Sequence, residues 1–199
     1  MKVLVACEFS GRVRDAFAAL GHDAWSCDLL PSESPGNHYQ GDVRDILGDG
    51  WDLMIAHPEC TFLCTSGLHW NKYYKGRAAQ TEKALEFVAL LLNTSIPKIA
   101  LENPVGCIST RICRPDQIIQ PYQFGENASK QTCLWLKGLP CLRPTQIVPP
   151  SFRTWDGKPR WGNQLYDGQN KLLPSPDRWK ERSRTYPGIA KAMAEQWGG

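Results

Sequence analysis

Two cysteines, a histidine and a glutamate fall within the twelve-residue stretch AHPECTFLCTSG, positions 56–67 of a 199-residue chain. Three chemistries are open to such a loop: metal ligation, a nucleophilic thiolate, or a plain turn. Structural metal sites favour paired Cys-x2-Cys knuckles. None of the eight cysteines (Cys7, Cys27, Cys60, Cys64, Cys107, Cys113, Cys133, Cys141) forms one. A zinc site from Cys107, Cys113 and Cys141 is the metal alternative. Cys7, Cys27 and Cys133 lie in apolar runs and read as small buried hydrophobes. A nucleophilic reading would use a thiol of this loop, and the plain alternative is a structural loop thiol. His57 reads as a turn residue and Cys64 as an apolar neighbour of the loop.

The elements that would position these groups alternate. KVLVA (2–6) reads as a strand, and GRVRDAFAALG (11–21) carries apolar residues at helical spacing. HDAWSCDLL gives a strand ending at Asp28, and GDVRDIL a short element beginning at Asp42. WDLMIAH is the next strand, and GRAAQTEKALEFVALLLNTS the clearest amphipathic helix. IPKIALENP and KQTCLWLKG are further strands, and GIAKAMAEQW a closing helix. This alternation predicts an α/β fold, a mostly parallel sheet with helices on both faces. Ligands of such sheets bind at the carboxyl ends of the strands. There lie CEFSG, Asp28, Asp42, HPEC and ENP. Gly11 would let a ligand approach the backbone, or would only start a helix. Asp28 would hold ribose hydroxyls, or only cap a turn.

With 42% hydrophobic and 22% charged residues, the composition is that of a single globular domain. No apolar run is long enough to span a membrane, and MKVLVACEFSG lacks the features of a signal peptide. The expected location is cytoplasmic. Residues 143–199 hold ten Lys or Arg against five Asp or Glu, so the net +3 of the chain is concentrated there. Trp155, Trp161, Tyr166, Trp179, Tyr186 and Trp197 are interleaved with those charges. The mixture suits a polyanion whose bases stack, or equally a solvated surface whose rings anchor onto the core. Pro, Gly and Asn dominate from about 138 to 182, which reads as loops.

Taken in order, these segments resemble the DNA (cytosine-5) methyltransferases, especially short phage-encoded cytosine methylase-like members. EFSG is similar to the start of F-x-G-x-G-G, CDLLP stands where a ribose-binding acid is found, and GDVRDI resembles the G-D-I segment. DLMIAHPECTFLCTSG is similar to the nucleophile motif, LENPVG to the E-N-V motif, and KQTCLWL to the Q-x-R-x-R entry. RSRTYPGIAKAMAEQW stands at the final motif and helix. The resemblance implies a Rossmann-like S-adenosylmethionine-dependent fold comprising a catalytic core (1–142), a loop-rich basic segment (143–182) and a closing helix (183–199), without a full target-recognition domain. It implies methyl transfer to carbon 5 of cytosine in duplex or single-stranded DNA, in a bacterial host or from a phage gene. Cys60, Glu102, Lys130 and Thr132 would be catalytic. Phe9, Ser10, Gly11, Asp28, Leu29, Asp42, Val43 and Pro58 would hold S-adenosylmethionine.

The sequence also departs from the pattern. Glu59 replaces the proline before the nucleophile, where an unpaired charge would raise the thiol's pKa. Val13 and Arg14 stand where glycines are expected. Two other functions fit: a catalytically degenerate protein of this fold that binds nucleic acid, a nucleotide or a host factor, and an enzyme modifying a free pyrimidine nucleotide. A protein partner could supply target recognition.

Overall fold

The computed structural model describes residues 1–165, 168, 173, 175 and 177–199. The first strands are short runs of branched and apolar residues, buried on both faces as parallel strands require. β1 (Lys2–Ala6), α1 (Arg12–Ala18), β2 (Asp23–Asp28), β3 (His38–Gln40) and β4 (Leu53–Ala56) come first in the chain. The single-turn α2 (Thr65–Leu68), the long α3 (Arg77–Leu92) and β5 (Lys98–Pro104) follow, then α4 (Ile108–Arg111), β6 (Gln117–Ile119) and β7 (Thr132–Lys137). A small hairpin of β8 (Phe152–Arg153) and β9 (Pro159–Arg160) precedes α5 (Arg178–Ser183) and α6 (Pro187–Trp197).

Seven strands form one sheet in the order β3-β2-β1-β4-β5-β7-β6. β1 to β5 run parallel, and β7 is antiparallel to both β5 and β6. Alternate residues feed two cores. Val3, Val5, Leu53, Ile55 and Ala100 face α1 and α6. Leu4, Ala6, Met54, Ala56, Ile99 and Leu101 face α3 and α4. Helices therefore cover both faces, the Rossmann-like α/β arrangement expected from the alternation. Among the described residues no helix is long and apolar enough to cross a membrane.

The strand ends are in register. Ala6 pairs with Cys27 and Ala56, and Ala56 with Leu101. One step further along lie Cys7, Asp28, His57 and Glu102, a row across the carboxyl edge. With strands about 4.8 Å apart, Asp28 and Glu102 are roughly 14 Å from each other. Cys7 turns the chain out of β1 with φ 60°, a left-handed conformation rare outside glycine.

Two small strands of the sheet, and the β8–β9 hairpin in the stretch read as loops, lie outside the sequence reading. β3 falls in the Pro/Gly-rich stretch before GDVRDIL, and GDVRDIL itself contains a 3₁₀ turn (Val43–Asp45) capped by Asp42. β6 precedes β7 and hides its outer edge.

The closing helix is integral to the first core. Trp197 is buried and its indole N–H donates to the Pro140 carbonyl at 2.9 Å. Trp197→Ala is expected to cost about 3–5 kcal/mol, read from urea denaturation; a cost under about 1 kcal/mol would place α6 outside the cooperative unit.

Candidate active site

The loop after β4 is fastened to the loop after β5. The Asn103 side-chain amide, buried, donates to the Pro58 carbonyl at 2.7 Å. The Cys107 amide donates to the Leu63 carbonyl at 2.9 Å, and the Thr65 amide to the Val105 carbonyl at 3.1 Å. Gly106 makes this closeness possible: a Cβ there would stand 2.0 Å from the Leu63 carbonyl oxygen. ENP thus orients HPEC through the backbone, and both side chains of interest emerge beside each other.

Glu102 is the hub of that corner. His57 Nδ1 lies 2.9 Å from Glu102 Oε2. Burial pushes the carboxyl up, but the His57 hydrogen bond and charge, the Lys130 charge and the Thr132 hydroxyl more than offset it. Glu102 is therefore held below the ordinary carboxylate range. Lys130 also favours the Cys60 thiolate, and its ammonium donates to the Arg182 carbonyl at 3.1 Å. Thr132 is buried at the start of β7. Cys60, Glu102, Lys130 and Thr132 are thus neighbours in space. His57 is no mere turn residue: its side chain is largely buried against Glu102, and its Nε2 has no hydrogen-bond partner.

The two thiols of the loop act on each other. Cys60 and Cys64 are hydrogen-bonded through their side chains. That bond pushes Cys64 down, against its burial, with further donation from the Ser66 hydroxyl and the Gly67 amide. It pushes Cys60 up, as do burial, the Cys64 charge and Glu102, while Lys130 opposes. Cys64 is thereby held below the ordinary thiol range and Cys60 above it. Cys64 is therefore a partner of the nucleophile candidate rather than an apolar bystander. Glu59, by contrast, is exposed and is not among the groups that shift Cys60.

At the other end of the row are the cofactor candidates. Phe9 is buried and its ring lies 5.7 Å from that of Trp179 in α5. Asp28 ends β2 with its carboxylate accepting from the Leu30 amide at 3.0 Å, and burial raises its pKa against that bond and the charge of His38. Leu29 beside it is exposed. Asp42 accepts from the Arg44 amide and pairs with its guanidinium, both at 3.0 Å. Val43 is packed into the second core, and Pro58 is buried. Phe9, Asp28 and Leu29 stand around the ends of β1 and β2, with Asp42 and Val43 just after β3.

The glycine loop is not an open cradle. The Glu8 carboxylate accepts from the Val13 amide at 2.7 Å, the Arg14 amide at 3.2 Å and the Ser10 hydroxyl at 3.2 Å. The amides at the start of α1 are thereby taken. Gly11 has φ 72°, and a Cβ on it would meet Ser34 Oγ at 2.2 Å and an Arg14 nitrogen at 2.4 Å. Arg14 is itself buried, binding Ser26, Ser32, Ser34 and the Pro35 carbonyl. Glu8 escaped the sequence reading, and Arg14 stood out there only as a departure from the glycine pattern. A charged residue just before a helix start, with an arginine inside its first turn, is the signal that could have found their roles.

The basic tail divides the two readings of its aromatics. Trp161 stacks on Tyr122 at 4.5 Å, and Trp197 is in the core, so both are anchors. Trp155 is fully exposed and Trp179 half exposed. Tyr166 lies outside the described residues. Much of the tail's charge is neutralised locally: Arg184 binds Glu33 through two bonds of 2.8 Å, and Lys158 and Lys180 pair with Asp156 and Asp177. Cys107, Cys113 and Cys141 do not converge: among the described residues no group of three His, Cys, Asp or Glu side chains could hold a metal.

No protein-family model and no curated protein matches the chain. Among solved structures it is similar to a "putative DNA modification methyltransferase encoded within prophage Cp" (E. coli), with a TM-score of 0.46 and 15% identity. The match covers 74% of this chain and 52% of that one, so the chain spans about half the length of the structure it matches. At that similarity the chemistry has to be argued from the site itself.

The thiol pair gives a direct test. Iodoacetamide labelling of Cys64 is expected to have its midpoint below the ordinary thiol value, and Cys60→Ala to move it up toward about 8.5. A midpoint that stays where it was in Cys60→Ala would mean that the two thiols do not share a proton.

Proposed function

We propose that the chain transfers a methyl group from S-adenosylmethionine to carbon 5 of cytosine in DNA, with Cys60 as the attacking thiolate. The observation that carries this reading is that the loop after β4, which bears Cys60, is clamped through Pro58 and Asn103 to the adjacent parallel strand β5, which bears Glu102, close enough for the Glu102 charge to act on the thiol. A nucleophile and an acid held by separate strands fit an attack on one ring atom with proton control at another.

Carbon 5 of cytosine is a weak nucleophile. A thiolate adding at carbon 6 ends the ring's aromaticity and makes carbon 5 enamine-like. Cys60 forms that bond, and Lys130 steadies its negative charge. Cys64 holds the thiolate of the resting pair and takes the Cys60 proton as attack begins. Glu102, ionised in the free site, accepts from the exocyclic amine; as charge builds on the ring nitrogen, a proton taken up from solvent by this carboxyl passes to that nitrogen. Thr132 and His57 keep its carboxylate aimed. A base in a duplex must leave the stack to reach Cys60. Once carbon 5 has taken the methyl group, a base, here solvent water, accepts the carbon-5 proton; the C–H electron pair re-forms the 5,6 double bond and the C6–S bond breaks to release the Cys60 thiolate.

The cofactor's residues are tested by their own chemistry. Asp28, at the end of β2, is a carboxylate suited to ribose hydroxyls, and Leu29 gives exposed apolar surface beside it, with Phe9 and Val43 buried behind. Ser10, Gly11, Asp42 and Pro58 complete the set the resemblance implies. These residues fit an adenosine-bearing group, although Glu8 and Arg14 take the space that an open glycine loop would offer. When bound, S-adenosylmethionine supplies the electrophilic methyl group. The expected setting is the cytoplasm of a bacterial host, with any sequence readout beyond the short basic segment coming from a partner.

A second reading is a catalytically degenerate nucleic-acid or nucleotide-binding protein. The closed glycine loop and the charge resting on Cys64 favour it.

Nucleoside mass spectrometry of DNA from expressing cells separates them. The methylase reading predicts 5-methylcytosine, lost in Cys60→Ala and reduced about a hundredfold or more in Glu102→Gln. Unchanged 5-methylcytosine in Cys60→Ala would remove the nucleophile. Absence of 5-methylcytosine together with no calorimetric binding of S-adenosylmethionine would favour the second reading.

A further inference from the structure

The segment following the Cys60 loop carries a surface that the site chemistry does not use. His69, Trp70, Tyr73 and Tyr74 form a chain of rings 5.2 to 6.1 Å apart. These rings are not core: Trp70 is 47% exposed, Tyr73 66% and Tyr74 59%. Leaving so much aromatic surface in water costs hydrophobic free energy unless something covers it. The charges interleaved with these rings in the chain are basic. Lys72, Lys75 and Arg77 lie within residues 61–81, which contain no Asp or Glu.

The surface is fixed to the nucleophile loop. Arg77 donates to the Thr61 carbonyl at 2.9 Å and lies over the Phe62 ring at 4.7 Å. Asn71 donates to Thr81 Oγ1 at 2.9 Å, and Thr81 donates to the Phe62 carbonyl at 3.0 Å. Gly67 lets the turn press on the loop, since a Cβ there would stand 2.1 Å from the Thr61 carbonyl oxygen. A ligand lying on the rings is thereby held at a set position relative to Cys60.

We propose that the His69–Trp70–Tyr73–Tyr74 surface, with Lys72 and Lys75, stacks unpaired bases of a single-stranded polynucleotide beside the Cys60 loop. Exposed rings interleaved with unopposed lysines match a partner that offers flat apolar faces on an anionic backbone. A duplex keeps its base faces inside its own stack, so the rings favour the single strand. The proposal deepens the DNA-methylation reading by naming the state of the strand next to the site. It concerns binding alone and stands apart from methyl transfer.

Fluorescence anisotropy with a labelled oligothymidylate and with a duplex of equal length, without S-adenosylmethionine, tests it. Trp70→Ala and Tyr73→Ala are each expected to weaken single-strand binding about tenfold, with unchanged thermal melting and little effect on the duplex. Trp70→Phe keeps a ring and is expected to restore most of the binding. Lys72→Ala and Lys75→Ala should each lower the slope of log K against log salt by about 0.7. Single-strand binding unchanged in the ring variants overturns the proposal, as does an equal loss on the duplex. Loss of 5-methylcytosine formation in Cys60→Ala with ring-independent DNA binding would leave the methylase reading intact and sink this one. Ring-dependent binding without any methylation would do the reverse.

Discussion

One buried amide organises the candidate catalytic corner. Asn103 donates to the carbonyl of Pro58 and so ties the end of β5 to the loop that leaves β4. Backbone bonds from Cys107 and Thr65 complete the fastening, and Gly106 permits the close approach. Without it the Cys60 loop would be a surface turn whose thiol had no set relation to Glu102. A buried donor left unpaired would cost about 1–3 kcal/mol, so the loop position and the stability of the corner are coupled. The same fastening lets the segment from α2 to α3 sit against the loop.

Electrostatics then assigns work to groups of the same type. Three acids lie near the strand ends. Glu8 is raised by burial although two amides and Ser10 bind it, and Asp28 is raised by burial at the end of β2. Glu102 alone falls below its ordinary range, because His57, Lys130 and Thr132 outweigh burial there. The thiols divide similarly, with Cys64 lowered and Cys60 raised by their mutual interaction. In the proposed reaction that arrangement makes Cys64 a proton acceptor for the nucleophile.

The large elements were legible because parallel strands buried on both faces are short apolar runs, and KVLVA, DLMIA and KIALENP are such runs. α3 showed its helical spacing, although its limits proved to be Arg77 and Leu92. β3 was hidden because three paired residues in a turn-rich stretch leave no periodic pattern, and β6 for the same reason. Within the site, Cys60 and Glu102 were visible as residues at strand ends. The His57–Glu102 bond was not, since the two are 45 positions apart and meet only through sheet register. Arg14 was visible only as a departure from a glycine pattern; its role depends on a serine-rich loop reached by tertiary folding. Glu59 looked like an obstacle beside the thiol, but its side chain is exposed to solvent.

The most direct test of the account is covalent trapping on DNA containing 5-fluorocytosine, in the presence of S-adenosylmethionine, followed by peptide mapping. Fluorine cannot leave carbon 5 as a proton does, so an adduct formed through carbon 6 persists. The account predicts a denaturation-stable protein–DNA species whose cross-linked residue is Cys60, absent in Cys60→Ala. No adduct, or an adduct mapped to Cys64, would contradict it.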